Sequence, residues 1–261
     1  MPGAQRGKPT APTLSAVTGL PRSARLVCWF NAWLPGHCSL DDARDAVVGG
    51  DAAHEVLGLD DEPLPLVFAF ARLRDRGAGA ATLSLPVPGD PVGLAGPAEL
   101  NALAIEAGEA AVVNGAGVAL VPAVVGAGVS WRAVAATDVR TVPDLGEADR
   151  QLRETLLETS ARLADLDVAR WRPEAAEGLH ALRDIRPAPL APGQSPEAQR
   201  LAALGLRCQA IAELGLDDDG AAVSAYEASE RRDALLRLSH SARHALVAAC
   251  SASGGVQTAR R

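Results

Sequence analysis

Hydrophobic and polar positions in the first half of the chain alternate between helical and strand-like spacing. Apolar residues spaced for one helix face predict helices at 22–34, 39–48, 63–76 and 97–107. Short apolar runs predict strands at 54–59 and 80–87, and then three strands in succession at 109–113, 118–124 and 129–136. Strands separated by helices favour parallel pairing, and strands joined by hairpins pair antiparallel. We therefore expect a mixed sheet, parallel among its early strands and antiparallel among its late ones, with helices packed on it.

The segment 110–131 carries no charged side chain and is therefore the candidate for a membrane span in this chain. Its 22 residues are long enough to span a bilayer. However, it contains one proline and four glycines, and its other apolar residues are mostly alanine and valine. Asn114-Gly115 between the valine-rich runs at 112–113 and 118–121 is typical of a hairpin turn. We expect paired strands here and no membrane span.

The second half of the chain shows only helical patterns. A leucine stripe predicts a long helix over 152–166, and further helices are predicted at 174–182, 195–214, 221–236 and 239–251. Ser195-Pro196-Glu197 has the cap residue, proline and acid that start a helix. The predicted fold class is α+β: a mixed α/β sheet domain at 21–145, followed by an all-helical C-terminal bundle at 146–252. Residues 1–20 and 253–261 are expected to be disordered.

Charge and cysteine usage restrict the classes of partner and the compartment. The formal net charge is −7, so nucleic acid is not an expected partner, because binding to it needs clustered cations. The four cysteines show no paired spacing and no export signal precedes them, which favours reduced thiols in the cytoplasm. We expect a soluble cytoplasmic protein.

The loop at 85–97, rich in proline and glycine, is the most suggestive place for a ligand. It lies between a strand end and a helix start, where α/β sheets commonly bind small molecules. Its candidate ligand-binding residues are Gly89, Asp90, Gly93, Gly96, Glu99 and Asn101. Its prolines remove amide donors, Asp90 would repel phosphate, and the spacing matches no phosphate-binding motif. A rigid crossover with a helix cap is the favoured alternative.

The sequence predicts no metal site and no cofactor. His37 and Cys38 are adjacent, so their side chains would point apart. His240 and His244 are four residues apart and would share a helix face, which could hold two ligands. Because no acidic residue lies between them, a solvated or capping role is favoured. No nucleophile motif is present either, so no catalytic residue is assigned.

Trp171 and Arg172 form a candidate partner-binding pair, since these residue types dominate the binding energy of protein interfaces. Trp131-Arg132 is a similar pair. Tryptophans in such positions also anchor one domain on another, and we favour that interpretation.

Two stretches, at 85–94 and 167–174, resemble segments of uncharacterised conserved proteins from high-GC bacteria. The resemblance spans about residues 25–250. It implies a cytoplasmic protein and transfers no activity and no catalytic residue.

Two functions remain open. The leading hypothesis is a non-catalytic binding or regulatory protein whose helical part contacts a protein partner. The alternative is an enzyme or small-molecule sensor with a pocket beside residues 88–97; it predicts that Asp90, Glu99 and Asn101 converge.

Overall fold

The computed structural model describes residues 19–94, 96–139, 141–166, 190–217 and 225–252. The helices are α1 (Arg22–Trp33), α2 (Leu40–Val48), α3 (Leu66–Asp75), α4 (Ala98–Ala107), α5 (Leu145–Asp165), α6 (Pro196–Asp217) and α7 (Ala225–Ser251). The strands are β1 (His54–Leu57), β2 (Leu64–Pro65), β3 (Ala80–Ser84), β4 (Ala110–Asn114), β5 (Val118–Val125) and β6 (Gly128–Ala135). The predicted α+β class, with a mixed sheet first and helices after it, is confirmed.

The six strands form one sheet in the order β2-β1-β6-β5-β4-β3. Every neighbouring pair is antiparallel except β1 with β6. The expectation of parallel pairing among the early strands is therefore wrong. The three late strands β4 to β6 lie between β1 and β3, so the early strands meet hairpin strands rather than each other.

The charge-free segment 110–131 forms β4, β5 and the start of β6, as predicted. Successive residues face opposite sides of the sheet. Ala111 and Val113 belong to the larger hydrophobic core, whereas Ala110 and Val112 belong to a smaller one. Both faces of β4 and of the first half of β5 are covered, which explains why no charge occurs there, whereas the end of β5 is exposed. Among the described residues, no helix combines the length and the apolar character needed to cross a membrane.

Helices cover both faces of the sheet. Leu26 and Phe30 of α1 are fully buried in the larger core, which also contains apolar residues of β3, β6, α6 and α7. On the other face, Leu100 and Ala104 of α4 bury against the alternate residues of β4 and β5. The larger core thus contains residues from both halves of the chain. The predicted division into domains at residue 145 stays a prediction.

The last helix is longer than predicted. The two helices expected at 221–236 and 239–251 are wrong, because α7 runs unbroken from Ala225 to Ser251. No glycine or proline lies between the two predicted helices. Ser239 stays within the helix and donates a hydrogen bond to the side chain of Gln209 on α6. The predicted helix at 174–182 lies outside the described residues.

The outer edge of β3 is covered by two helices. The side-chain amide of Asn31 on α1 donates to the Ala81 carbonyl at 2.8 Å, and its oxygen accepts from the Ala81 N–H at 2.6 Å. Further along, the hydroxyl of Ser251 on α7 accepts a hydrogen bond from the Leu83 N–H. These contacts satisfy backbone groups that an edge strand would otherwise expose. They also hold α7 directly against the sheet.

Candidate ligand site

The loop that follows β3 begins with a tight turn that presents Asp90. Val87 and Asp90 exchange two backbone hydrogen bonds, of 3.0 and 2.9 Å, across the dipeptide Pro88-Gly89. Gly89 has a φ of +86°, and a proline followed by a glycine with positive φ is typical of a type II turn. The local sequence therefore determines the backbone position from which the Asp90 side chain extends.

A second glycine holds the loop against the sheet. Gly93 has a φ of +78°, and its Cα lies so close to β3 that an added Cβ would be 2.3 Å from the Leu83 carbonyl oxygen. Beside it, the Ser84 hydroxyl donates a hydrogen bond of 2.7 Å to the Val92 carbonyl. The loop is thus packed on the end of β3 rather than projecting into solvent.

The carboxylate of Asp90 meets three side chains from one face of α7. His240 Nδ1 lies 2.9 Å from Asp90 Oδ2, and His244 Nε2 lies 3.2 Å from each carboxylate oxygen. Arg243 donates from Nη1 to Asp90 Oδ2 at 2.8 Å and to the Leu85 carbonyl at 3.1 Å. Positions i, i+3 and i+4 of a helix lie on the same face, so α7 directs all three side chains toward the loop. We call Asp90, His240, Arg243 and His244 the Asp90 cluster.

The Asp90 cluster is partly shielded from water. The side chains of Asp90 and Arg243 are 16% and 11% exposed, whereas that of His240 is 53% exposed and opens the cluster to solvent. The two imidazole rings are in contact, with their centroids 4.2 Å apart and their planes tilted by 35°. A small ligand could therefore approach along the His240 side.

Positive neighbours keep Asp90 ionised. Burial alone would raise its pKa, but the hydrogen bond from His244 and the charges of His244, Arg243 and His240 outweigh burial and lower the pKa below its usual value. For His244, burial dominates and lowers the pKa, although Asp90 acts in the opposite direction. The arrangement favours a carboxylate beside a neutral imidazole.

Two family models match the chain, and each includes part of this cluster. A model described as Rv1486c-like protein, N-terminal domain, matches residues 23–145, and a model described as Rv1486c-like protein, C-terminal domain, matches residues 146–247. The chain belongs to the Rv1486c-like family. No curated protein and no solved structure shows significant similarity to it. An origin in high-GC bacteria stays a prediction.

Both matched domains of this Rv1486c-like chain contribute to the Asp90 cluster. Asp90 lies in the N-terminal match, and its three partners lie in the C-terminal match. The cluster is therefore a joint between the two halves, as well as a group of polar side chains.

The other candidates from the ligand loop do not join Asp90. Glu99 is exposed on α4, and no hydrogen bond or ion pair between described residues links Glu99 or Asn101 to Asp90. Asn101 is half-buried, and its Oδ1 has no hydrogen-bond partner within the described part of the chain. Gly96 packs against Leu100, where an added Cβ would lie 2.5 Å from Cδ2. The convergence of Asp90, Glu99 and Asn101 on one ligand stays a prediction.

Trp171 and Arg172 lie outside the described residues, so the predicted partner-binding pair stays a prediction. Trp131 is described, and it is fully buried in the core. It is therefore a packing residue and not part of a surface recognition pair. Arg243 is not among the residues predicted from the sequence; its position between two histidines on one helix face is the signal that could have indicated it.

A second polar cluster lies on the β1 side of the sheet. Asp51 accepts hydrogen bonds from Arg22 at 2.9 Å and from Arg25 at 3.2 Å, and His54 Nε2 lies 3.0 Å from Asp51 Oδ2. Trp131 Nε1 donates to His54 Nδ1 at 3.2 Å, so both ring nitrogens of His54 are engaged. The hydrogen bond from Arg22 strongly lowers the pKa of Asp51. Because the Asp51 carboxylate and both ring nitrogens of His54 are engaged, this cluster is best explained as structural, tying the start of α1 to the sheet.

Proposed function

We propose that this chain is a non-catalytic regulatory protein that binds a small ligand at the Asp90 cluster, and that the ligand changes how firmly α7 is held against the sheet. The observation that carries the proposal is the contact of one loop carboxylate with three residues of α7. This combines the two hypotheses drawn from the sequence, a regulatory protein and a small-molecule sensor.

The position of the cluster along α7 supports the proposal. From Ser241 to Cys250 nearly every residue of α7 is buried, whereas the part of the helix before His240 alternates between buried and exposed positions. A ligand bound at His240 to His244 would sit at the border between these two parts. It would replace or reinforce the contacts that fix the border to the loop.

Contacts beyond the cluster connect α7 to β3, so a movement of α7 would reach the sheet. Arg243 bonds the Leu85 carbonyl, and Ser251 bonds the Leu83 N–H two residues earlier along the chain. A displacement of α7 relative to Asp90 would therefore disturb the edge of β3. A ligand shifts such an equilibrium only through different affinities for the two states.

The compartment and the protein partner belong to the same proposal. The four cysteines are free thiols in the structure, which supports a cytoplasmic location. A protein partner would bind differently depending on how firmly α7 is held against the sheet. The net charge of −7 argues against nucleic acid in that role.

A second candidate is acid–base catalysis. One observation favours it: Asp90 binds His240 through Nδ1 while half of the imidazole side chain is exposed. Carboxylate–histidine pairs in hydrolases have this orientation, which leaves Nε2 to take a proton. Turnover of any ester or amide substrate that disappears in His240→Asn would favour this candidate.

Hydrogen exchange tests the proposed function. The full chain is screened for ligands by thermal shift, and the exchange of amides in α7 is then measured with and without each ligand found. We expect a ligand that changes the protection of backbone amides against exchange from about Leu238 to Ser251. The same ligand should leave amide exchange unchanged in the Asp90→Asn variant. Asp233→Asn, an exposed change on the same helix, is the matched control and should respond like the unmodified chain. Ligands that leave α7 exchange unchanged would refute the proposal.

A further inference from the structure

The Asp90 cluster brings together three atoms that commonly ligate metals. Asp90, His240 and His244 each offer one ligand atom, and these atoms all lie within 4.8 Å of one another. Ligand atoms around a tetrahedral Zn²⁺ are about 3.4 Å apart, given bonds of about 2.1 Å. The His–Asp distances of 2.9 and 3.2 Å already fall near that value. The three side chains are therefore close enough to approach a single ion together.

The donor set selects a class of metal. Two imidazole nitrogens and one carboxylate oxygen suit divalent first-row transition metals, whereas Mg²⁺ and Ca²⁺ prefer sets made of oxygen. Three protein ligands also leave coordination positions for water or another molecule. The exposed side of His240 is where such a molecule would enter.

Arg243 has a place in this arrangement although it is positively charged. It donates to Asp90 Oδ2 and to the Leu85 carbonyl, so it fixes the orientation of the carboxylate, whose other oxygen, Oδ1, lies 3.2 Å from His244 Nε2. Carboxylates that ligate metals are commonly oriented by such outer hydrogen bonds. Its positive charge would weaken metal binding, so the affinity should be moderate and the ion exchangeable.

We propose that Asp90, His240 and His244 form a binding site for a divalent transition-metal ion, with Arg243 as a positioning residue. The inference rests on the proposed function, since it names the ligand class of the same cluster. Both histidines come from one helix and the carboxylate from the loop after β3. A bound ion would therefore crosslink the two family domains.

The test uses the full chain with Zn²⁺ and Co²⁺ as probes. Zn²⁺ affinity is measured by competition with a chromogenic chelator, and Co²⁺ coordination by its visible absorption. We expect one ion per chain, and His240→Ala should weaken Zn²⁺ binding at least about 100-fold, since loss of even an outer-shell partner costs about 10–100-fold. His240 is the best position to change because its exposed side chain contributes little to folding.

His37→Ala is the matched control, because His37 is an exposed histidine outside the cluster. It should bind like the unmodified chain, and a large excess of Mg²⁺ should not compete. Binding that is unchanged in both His240→Ala and His244→Ala would overturn the metal site, as would equal loss in His37→Ala. Circular dichroism on each variant excludes unfolding as the cause of a loss.

The result also separates this inference from the proposed function. If Zn²⁺ binds through the three residues but leaves α7 exchange unchanged, the metal site stands and the regulatory role fails. If Zn²⁺ does not bind, but an organic ligand changes α7 exchange in an Asp90-dependent way, the regulatory role stands and the metal site fails.

Discussion

Gly89 and Gly93 occupy the same loop with similar backbone angles, yet a side chain would meet very different surroundings at the two positions. Their φ values are +86° and +78°, both in the region that L side chains rarely adopt. An added Cβ at Gly89 has no neighbouring described atom within 4 Å. At Gly93 it would lie 2.3 Å from the Leu83 carbonyl oxygen and 2.8 Å from the Ser84 Cα.

These distances set the size of the expected effects. Gly89→Ala should lower the free energy of unfolding by about 1–2 kcal/mol, which is the cost of placing an L residue at positive φ. Gly93→Ala has the same cost and adds a clash with backbone that cannot rotate away, worth about 1–3 kcal/mol more. The second substitution should also move the loop off β3 and draw Asp90 away from His240 and His244.

Urea unfolding of the two single variants measures the difference directly. Gly89→Ala serves as the matched control for Gly93→Ala, because the two share the backbone strain and differ in the clash. We expect Gly93→Ala to be the less stable by at least about 1 kcal/mol and to lose more Zn²⁺ affinity. Equal losses of unfolding free energy would refute the argument that close packing on β3 positions the loop.

Three further substitutions test contacts elsewhere in the fold, each by urea unfolding. Asn31→Ala removes both side-chain hydrogen bonds to Ala81 and should cost about 2–3 kcal/mol; a loss below about 0.5 kcal/mol would show that water replaces them at the sheet edge. Trp131→Phe removes the donor to His54 inside the core and should cost about 2 kcal/mol; a loss below about 0.5 kcal/mol would contradict a structural role for that hydrogen bond. Glu109→Gln should stabilise the chain at pH 7, because burial raises the pKa of Glu109 above its ordinary 4.5. The folded state then binds the proton more tightly, so stability falls as the pH rises from 4.5 through the folded pKa, and the gain from Gln should disappear below pH 4.5.

Short-range signals in the sequence were enough for much of the fold. Ser39 caps α2 as expected, and its hydroxyl accepts from the Asp42 N–H while Asp42 bonds back to Ser39. The charge-free segment was correctly assigned to strands, because turn residues divide it at the right spacing. The early strand pairing was not predictable in this way, since it depends on which distant strands lie between β1 and β3.

The sequence indicates several residues of the candidate site but not that they are in contact. The position of Asp90 in a loop indicates a candidate, and the spacing of His240 and His244 indicates a shared helix face, but nothing local connects residues about 150 positions apart. Glu99 and Asn101 are close to Asp90 in sequence, but no hydrogen bond or ion pair between described residues joins them to it. They belong to α4, which packs through Leu100 and Ala104 on the other face of the sheet.

The continuity of α7 determines which contacts a ligand at the Asp90 cluster would affect under the proposed function. If the helix were broken near residue 238, as its sequence had suggested, a ligand at His240 and His244 could move the last segment alone. Because it is unbroken, the bundle contacts of its first half and the sheet contacts of its second half must shift together. A ligand at 100 times its dissociation constant supplies about 2.7 kcal/mol, comparable to what a few partly exposed hydrogen bonds contribute. Under the proposed function, a ligand would therefore shift the contact between α7 and the loop without unfolding the core.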